Sequence, residues 1–453
     1  MMAMALLATF AQQPAAGTDT TRGRPCVIQI DSIGHNYQEV TVRSGEKNYF
    51  AGGGVLAHCQ GTGSVLSADS VALFAGVGRF DMIGQRNPVH IRDTAVTLDA
   101  ATAAYYMHQE RLDAHKNVVA VNRNTGSVLR GPNLNYYRAV KGIRDTLEMY
   151  ASSRPTIEYR ATADSGEPYI IVADRVRFKG NDRMWGGGRV TIDRSDFAAH
   201  GDSMQLDQAR GFAVLVGTPR VTGKEARPYT LTGTRIELGL QGREVRLVKA
   251  LGNGVATGAD WRLTSDTIHL LLDRKKLQQA FAWGPKDSVR AHAVSTRNTI
   301  QADSLALDLP DEVLTEARAF GHAYSTSTKA PVKKAPVKKD STATAQVNWI
   351  AGDSLTARWT QVPDSAGTPR SKLHQLVARG AARAFTYLEG ERDSTTGPSL
   401  NYSRGKVIDC VLKGDKVDRC TVTGRADGVQ LEPRPPAPPD TTKAGTTRKK
   451  PAP

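Results

Sequence analysis

An eight-residue pattern returns along most of this 453-residue chain. It runs apolar, spacer, small, Asp, polar, apolar, any, apolar. Its clearest copies are anchored on Asp69, Asp174, Asp266, Asp303 and Asp353. The third of these reads Leu263, Thr264, Ser265, Asp266, Thr267, Ile268, His269, Leu270. Two weaker copies carry Met204 and Leu206 after Asp202, and Ile236 and Leu238 after Thr234. Looser versions surround Asp93 and Pro132, and at Asp93 the apolar pair Val96 and Leu98 falls one residue late. From Asp174 to Asp303 the anchors are 28, 32, 32 and 37 residues apart. That period is too long for one strand and right for two or three. Apolar residues two and four places after the anchor, with polar ones between, give the period-two alternation of a strand with one buried face.

A second element recurs between the anchors. It contains Gly252, Gly284, Gly321 or Gly380 inside a short alternating segment such as Arg318, Ala319, Phe320, Gly321, His322, Ala323. A glycine within a strand marks a bulge or a sharp bend. Each repeat therefore reads as an outgoing strand, a turn and a bent returning strand. One such unit cannot bury its apolar face alone, whereas several stacked units can. The expected fold is all-β, a stack of antiparallel repeats in more than one unit. The segments 99–107 and 145–151 suit short helices or strands.

Residues 1–25 read as a secretory-signal-like apolar segment and a flexible lead-in, although the usual positive start is missing. Residues 26–165 and 166–325 form two β regions, 326–346 a Pro/Lys-rich linker, 347–432 further β repeats, and 433–453 a basic Pro-rich tail. The net charge of +15 is concentrated: residues 329–340 and 434–453 each carry +4, eight of the fifteen charges. A solvated linker and tail thus explain half the imbalance. No basic–aromatic motif of an RNA-binding type accompanies it, so nucleic acid is not an expected partner. No apolar run approaches the roughly 20 residues of a membrane-spanning helix.

The four cysteines, Cys26, Cys59, Cys410 and Cys420, include no C-x-x-C pair, which argues against zinc and thioredoxin-like chemistry. A turn at 413–416 would set Cys410 opposite Cys420 across a hairpin, leaving Cys26 and Cys59 as a second pair. Two such disulfides suit an oxidising compartment, while four reduced cysteines in a cytosolic protein are the alternative.

The run 197–217, with Asp202, Met204 and Leu206, resembles the OstA-like repeat of the lipopolysaccharide-transport proteins (the LptA-like family). So does 90–121, with Glu110, Arg111, Leu112, Asp113, Ala114 and His115. The resemblance covers residues 64–325 and, more weakly, 347–431. It implies strands folded into a V, an open β-jellyroll whose apolar interior holds acyl chains. The implied lining is Val176, Phe178, Met204, Leu206, Ile236, Leu238, Ile268, Leu270, Leu305 and Leu307. It also implies a periplasmic location, lipopolysaccharide or a related acylated glycolipid as ligand, and end-to-end joining to other OstA-like proteins and an outer-membrane assembly protein. The chain departs from the family in being much longer than a single bridge domain and in lacking the strands of a following outer-membrane barrel. Eight two-strand repeats stacked continuously would reach on the order of 80 Å.

Near-motifs for catalysis fail. Residues 217–224 have the wrong spacing for a phosphate loop, and Glu225 stands where Ser or Thr is required. His108 and His115 flank Glu110 without the zinc-protease spacing. The Asp anchors lie one per repeat, which suits a strand-end role better than calcium ligation. The expectation is a non-enzymatic lipid-transport bridge with no metal or cofactor. The rival is a β-repeat scaffold or surface adhesin, and behind it a polysaccharide-acting enzyme on a repeat framework.

Overall fold

The computed structural model describes residues 26–60, 62–162, 166–241, 244–284, 290–295, 298–328, 347–363, 369–388, 398–413 and 416–432. The signal-like segment, most of the linker and the basic tail lie outside these residues. The described chain is all-β, with thirty-one strands and three short 3-10 turns. The segments that suited either helix or strand are mostly strand: Val96–Ala100, Thr102–Tyr106 and Glu148–Ser152.

Two kinds of strand alternate. Long ones, such as Arg183–Asp193 and Phe197–Asp207, pair along one half of their length with one short strand and along the other half with a different one. Thus Arg183–Asp193 pairs with Arg175–Lys179 through Arg183 to Gly187, and with Tyr169–Val172 through Thr191 to Asp193. Its pairing with Phe197–Asp207 slips between Gly187 and Val190. The same slip occurs at Gly52/Val55, His115/Val118, Leu251/Gly254, Phe320/Ala323 and Arg379/Ala382. A bulge bends its strand, so this line of bulges divides each stack into two half-sheets. Away from the edge strands Val27–Thr41 and Asp427–Leu431, one face along each half-sheet is largely buried. A single uncovered layer would leave that face wet, so the half-sheets cover one another.

The repeated Asp marks the bend. Asp174 and Asp303 occupy the gap between two short strands and meet the bulge of the next long one, whereas Asp69, Asp202, Asp266 and Asp353 lie within long strands. The Asp174 N–H donates to the Gly188 carbonyl (2.8 Å) and that of Asp303 to Gly321 (3.0 Å). Gly188 has φ +79°, and a Cβ there would lie 2.4 Å from the Asp174 carboxylate; at Gly380 the corresponding clash with Asp353 is 2.1 Å. Both left-handed backbone and contact exclude a side chain. Asp thus caps the corner, and glycine lets it approach.

The chain divides into two compact units. One runs to Glu225 and takes in Thr234–Arg246; the other comprises Ala226–Gly233 and everything from Leu247. The expected division between 165 and 166 instead falls inside the first unit. Strands on its two sides are hydrogen-bonded partners, Thr156–Tyr159 with Tyr169–Val172 and Glu148–Ser152 with Arg175–Lys179.

Disulfides join Cys26 to Cys59 and Cys410 to Cys420. Cys410 and Cys420 are direct cross-strand partners, and the turn expected between them lies partly outside the described residues.

Candidate functional site

The interior between the half-sheets is built from rows of side chains that cross the strands in register. In the first unit one row runs Ala151, Val176, Gly186, Met204, Leu215, Ile236. The next runs Met149, Phe178, Met184, Leu206, Ala213, Leu238. In the second unit a row runs Ala250, Ile268, Ala282, Leu305, Ala319, Leu355, Ala378, Ile408. Beside it Val248, Leu270, Ala280, Leu307 and Ala317 form another.

All ten residues expected to line a groove fall in these rows. Nine are buried: Val176, Met204, Leu206, Ile236, Leu238, Ile268, Leu270, Leu305 and Leu307. Ile236, Ile268 and Leu270 have no exposed surface at all. Phe178 alone is half-buried. Full burial of each Leu or Ile contributes about 1.5–3 kcal/mol. The expected lining left out the returning strands, whose inward residues include Met184, Leu215, Ala282 and Ala319. Alternate positions in those strands would have revealed them.

The side of the first unit away from the bulges, its mouth, is crossed by a buried polar cluster. Glu110, fully buried, accepts from Tyr105 Oη (2.5 Å), Arg138 Nη1 (3.0 Å) and the Cys26 N–H (2.7 Å). Arg138 Nε also lies 3.5 Å from Asp93. Asp93 in turn accepts from Tyr136 Oη (3.0 Å) and Ser64 Oγ (2.8 Å). Asp93 sits in the turn between Val89–Arg92 and Val96–Ala100, on one half-sheet. Tyr136 lies in Val128–Tyr137 where it pairs with Glu148–Ser152, on the other. The cluster therefore ties one half-sheet to the other. Burial, and then the Asp93 charge, hold the Tyr136 hydroxyl protonated well above the usual phenol range. Burial and the hydrogen bond to Glu110 do the same for Tyr105. Both tyrosines stay donors, as two buried carboxylates require. Farther along the mouth, Asn122 Nδ2 donates to Asn181 Oδ1 (3.1 Å) and Gln208 Nε2 to the Ala161 carbonyl (2.9 Å).

Small openings remain between the half-sheets. One of about 40 Å³ in the first unit is lined by Val96, Leu129 and Ile157 from one side and Met149 and Phe178 from the other. One of about 60 Å³ in the second unit is lined by Trp349, Ile350 and Ala384 facing Leu373, Leu376 and Leu412. Since one water needs roughly 10–15 Å³ by such a measure, each is the size of a few waters and neither has room for an acyl chain. Among the described residues, no group of three or more His, Cys, Asp or Glu is placed to hold a metal ion, and no helix is long and apolar enough to cross a membrane. No family model matches the chain, and no curated protein matches it.

Proposed function

We propose that the protein binds the acyl chains of lipopolysaccharide or a related amphiphile between its half-sheets and serves as a transport bridge of the OstA-like kind. The observation that carries this reading is the pair of uninterrupted apolar rows in each unit, flanked at the mouth by the partly open positions Phe178 and Leu376. Polar groups fasten the first unit's mouth, and an acyl chain enters when they part. The edges support end-to-end joining. Val27–Thr41 pairs with Lys47–Gln60 alone among the described strands, and Lys416–Thr423 and Asp427–Leu431 each pair with Ser399–Lys413 alone. Such edges accept an added strand from a further OstA-like chain or an outer-membrane assembly protein. The two disulfides favour an oxidising compartment such as the periplasm.

A second reading is a non-catalytic scaffold with a closed core, favoured by the complete burial of Ile236, Ile268 and Leu270. A photo-crosslinking residue at Phe178 or Leu376, in protein purified from its own envelope, separates the two. The lipid reading expects stoichiometric labelling of an acylated glycolipid at those sites and none at outward-facing His269. Absence of labelling when lipid is supplied leaves the scaffold.

A further inference from the structure

The outer face of one half-sheet in the first unit carries a trough of about 730 Å³, beneath which runs the interior row of Ala151, Val176, Gly186 and Met204. Its walls and floor are two cross-strand rows, one residue out of phase with the buried ones. The first row runs Asn135, Tyr150, Arg177, Trp185, Gln205, Val214. The second runs Ser152, Arg175, Gly187, Ser203, Val216, Arg235. The first is a ladder of mostly planar groups, set one per strand at a spacing of about 4.8 Å. Arg177 lies over the rings of both Tyr150 (5.2 Å) and Trp185 (5.4 Å) and is held there by Glu148 at 3.1 Å. Tyr150 Oη donates to the same Glu148 (2.6 Å), so the wall is fixed before any ligand arrives. The second row is small where the first is large. Ser152, Gly187 and Ser203 set the depth, and a Cβ at Gly187 would lie 3.1 Å from the Arg175 guanidinium, which therefore rests on the floor.

Charge is left over in this trough. Arg177 is paired with Glu148, and Arg235 with Glu237 at 2.8 Å. Arg175 has no carboxylate partner among the described residues, and it is exposed. An elongated trough with aromatic walls, hydroxyl and amide groups along its length and one unspent guanidinium suits a particular chemistry. The C–H faces of pyranose rings pack on Trp185 and Tyr150, their hydroxyls bond to Asn135, Ser203 and Gln205, and a carboxylate or phosphate takes Arg175 through a two-pronged contact. The volume lies within the roughly 300–1,000 Å³ of small-ligand sites. We propose that this trough is a binding site for an acidic oligosaccharide lying across the strands. It is on the opposite face of the half-sheet from the apolar interior, so it does not depend on that interior holding lipid.

The test is titration of the whole chain with a short oligogalacturonate and a phosphorylated malto-oligosaccharide, with neutral cello- and malto-oligosaccharides as comparison. Calorimetry reads affinity, and the part of the tryptophan fluorescence change that Trp185→Ala removes reads that residue among the five tryptophans. The expected result is saturable binding of at least one acidic glycan, weakened about tenfold or more by Arg175→Ala and by Trp185→Ala, as loss of a charged hydrogen bond or a stacking face implies. Ser203→Trp, which fills the floor without touching the buried rows, should abolish binding while leaving the melting temperature unchanged. Failure of both acidic glycans to bind, equal binding of the neutral ones, or binding indifferent to all three substitutions overturns the proposal. So does binding only to acidic glycolipid in vesicles, because the site is assigned to the saccharide free of any lipid anchor.

Discussion

In the second unit the row through Ile268 alternates between large aliphatic residues and alanine from Ala250 to Ile408, whereas the equivalent row of the first unit sets Met204, Leu215 and Ile236 side by side. The first unit also closes its mouth with buried charge, through Glu110, Arg138 and Asp93. The described mouth residues of the second include the apolar side chains Leu373, Leu376 and Leu412. Buried charge is not confined to the first unit, since Glu312 of the second is also buried and accepts from the Arg227 N–H (3.2 Å); the two units differ in the regularity of their rows and in how the mouth is lined. Large–small alternation lets two facing layers interdigitate at interior density. A polar network across the mouth anchors one half-sheet to the other, because buried charges tolerate only one arrangement of their partners.

Removing the charge anchor breaks this comparison most sharply. Arg138→Met leaves Asp93 and Glu110 buried without their cation and should cost about 3–5 kcal/mol. Hydrogen exchange should show lost protection in the first unit, with strands such as Trp261–Asp273 of the second unchanged; uniform loss would erase the distinction. Leu305→Ala should cost about 2–5 kcal/mol, because its row neighbours Ala282 and Ala319 have no bulk to fill the cavity. Urea unfolding measures it, and a cost under about 1 kcal/mol would mean the row collapses more freely than alternation allows. The reverse change, Ala319→Leu, should overpack the same row and cost about 1–3 kcal/mol.

The disulfides give a smaller contrast. Cys26–Cys59 closes a separation of 33 residues and Cys410–Cys420 one of 10. Chain entropy alone makes the double Cys→Ser change about 1 kcal/mol more costly in the first unit. Smallest is a pH effect at Asp69, whose carboxyl is lowered to about 2, chiefly by the backbone N–H groups of Asn87 and Arg86. A depressed folded value means the contribution is present above the unfolded value and fades as pH falls from about 4 through 2. NMR should show the 84–88 loop loosening in that window, and Asp69→Asn should remove the transition.

The octets were legible because each bundles into consecutive residues a strand, its buried face and the corner that starts it. Asp174 and Asp303 stand where the pattern implied, and Gly252, Gly321 and Gly380 at the bulges. Gly284 instead ends its strand, Lys276–Trp283. The returning strands were harder to read, since Ala282 and Ala319 carry little hydrophobic signal yet face Leu305 across the ladder. The cluster of Asp93, Glu110 and Arg138 shares no period and lies in turns or just past a strand end, so only folding brings it together. The trough was invisible for a similar reason: Tyr150, Arg175, Trp185, Ser203 and Val216 belong to five different strands, and each alone reads as an ordinary outward residue.

The alternation through Ile268 also limits how such a chain can change length. A large residue on one strand needs a small one on the next, so adding or deleting a single strand would set bulk against bulk and reverse the chain's direction. Only an even number of strands can be gained or lost between Ala250 and Ile408 without disturbing this row. Length in the second unit is therefore quantised, and the hairpin, rather than the residue or the strand, is the smallest step by which it can grow.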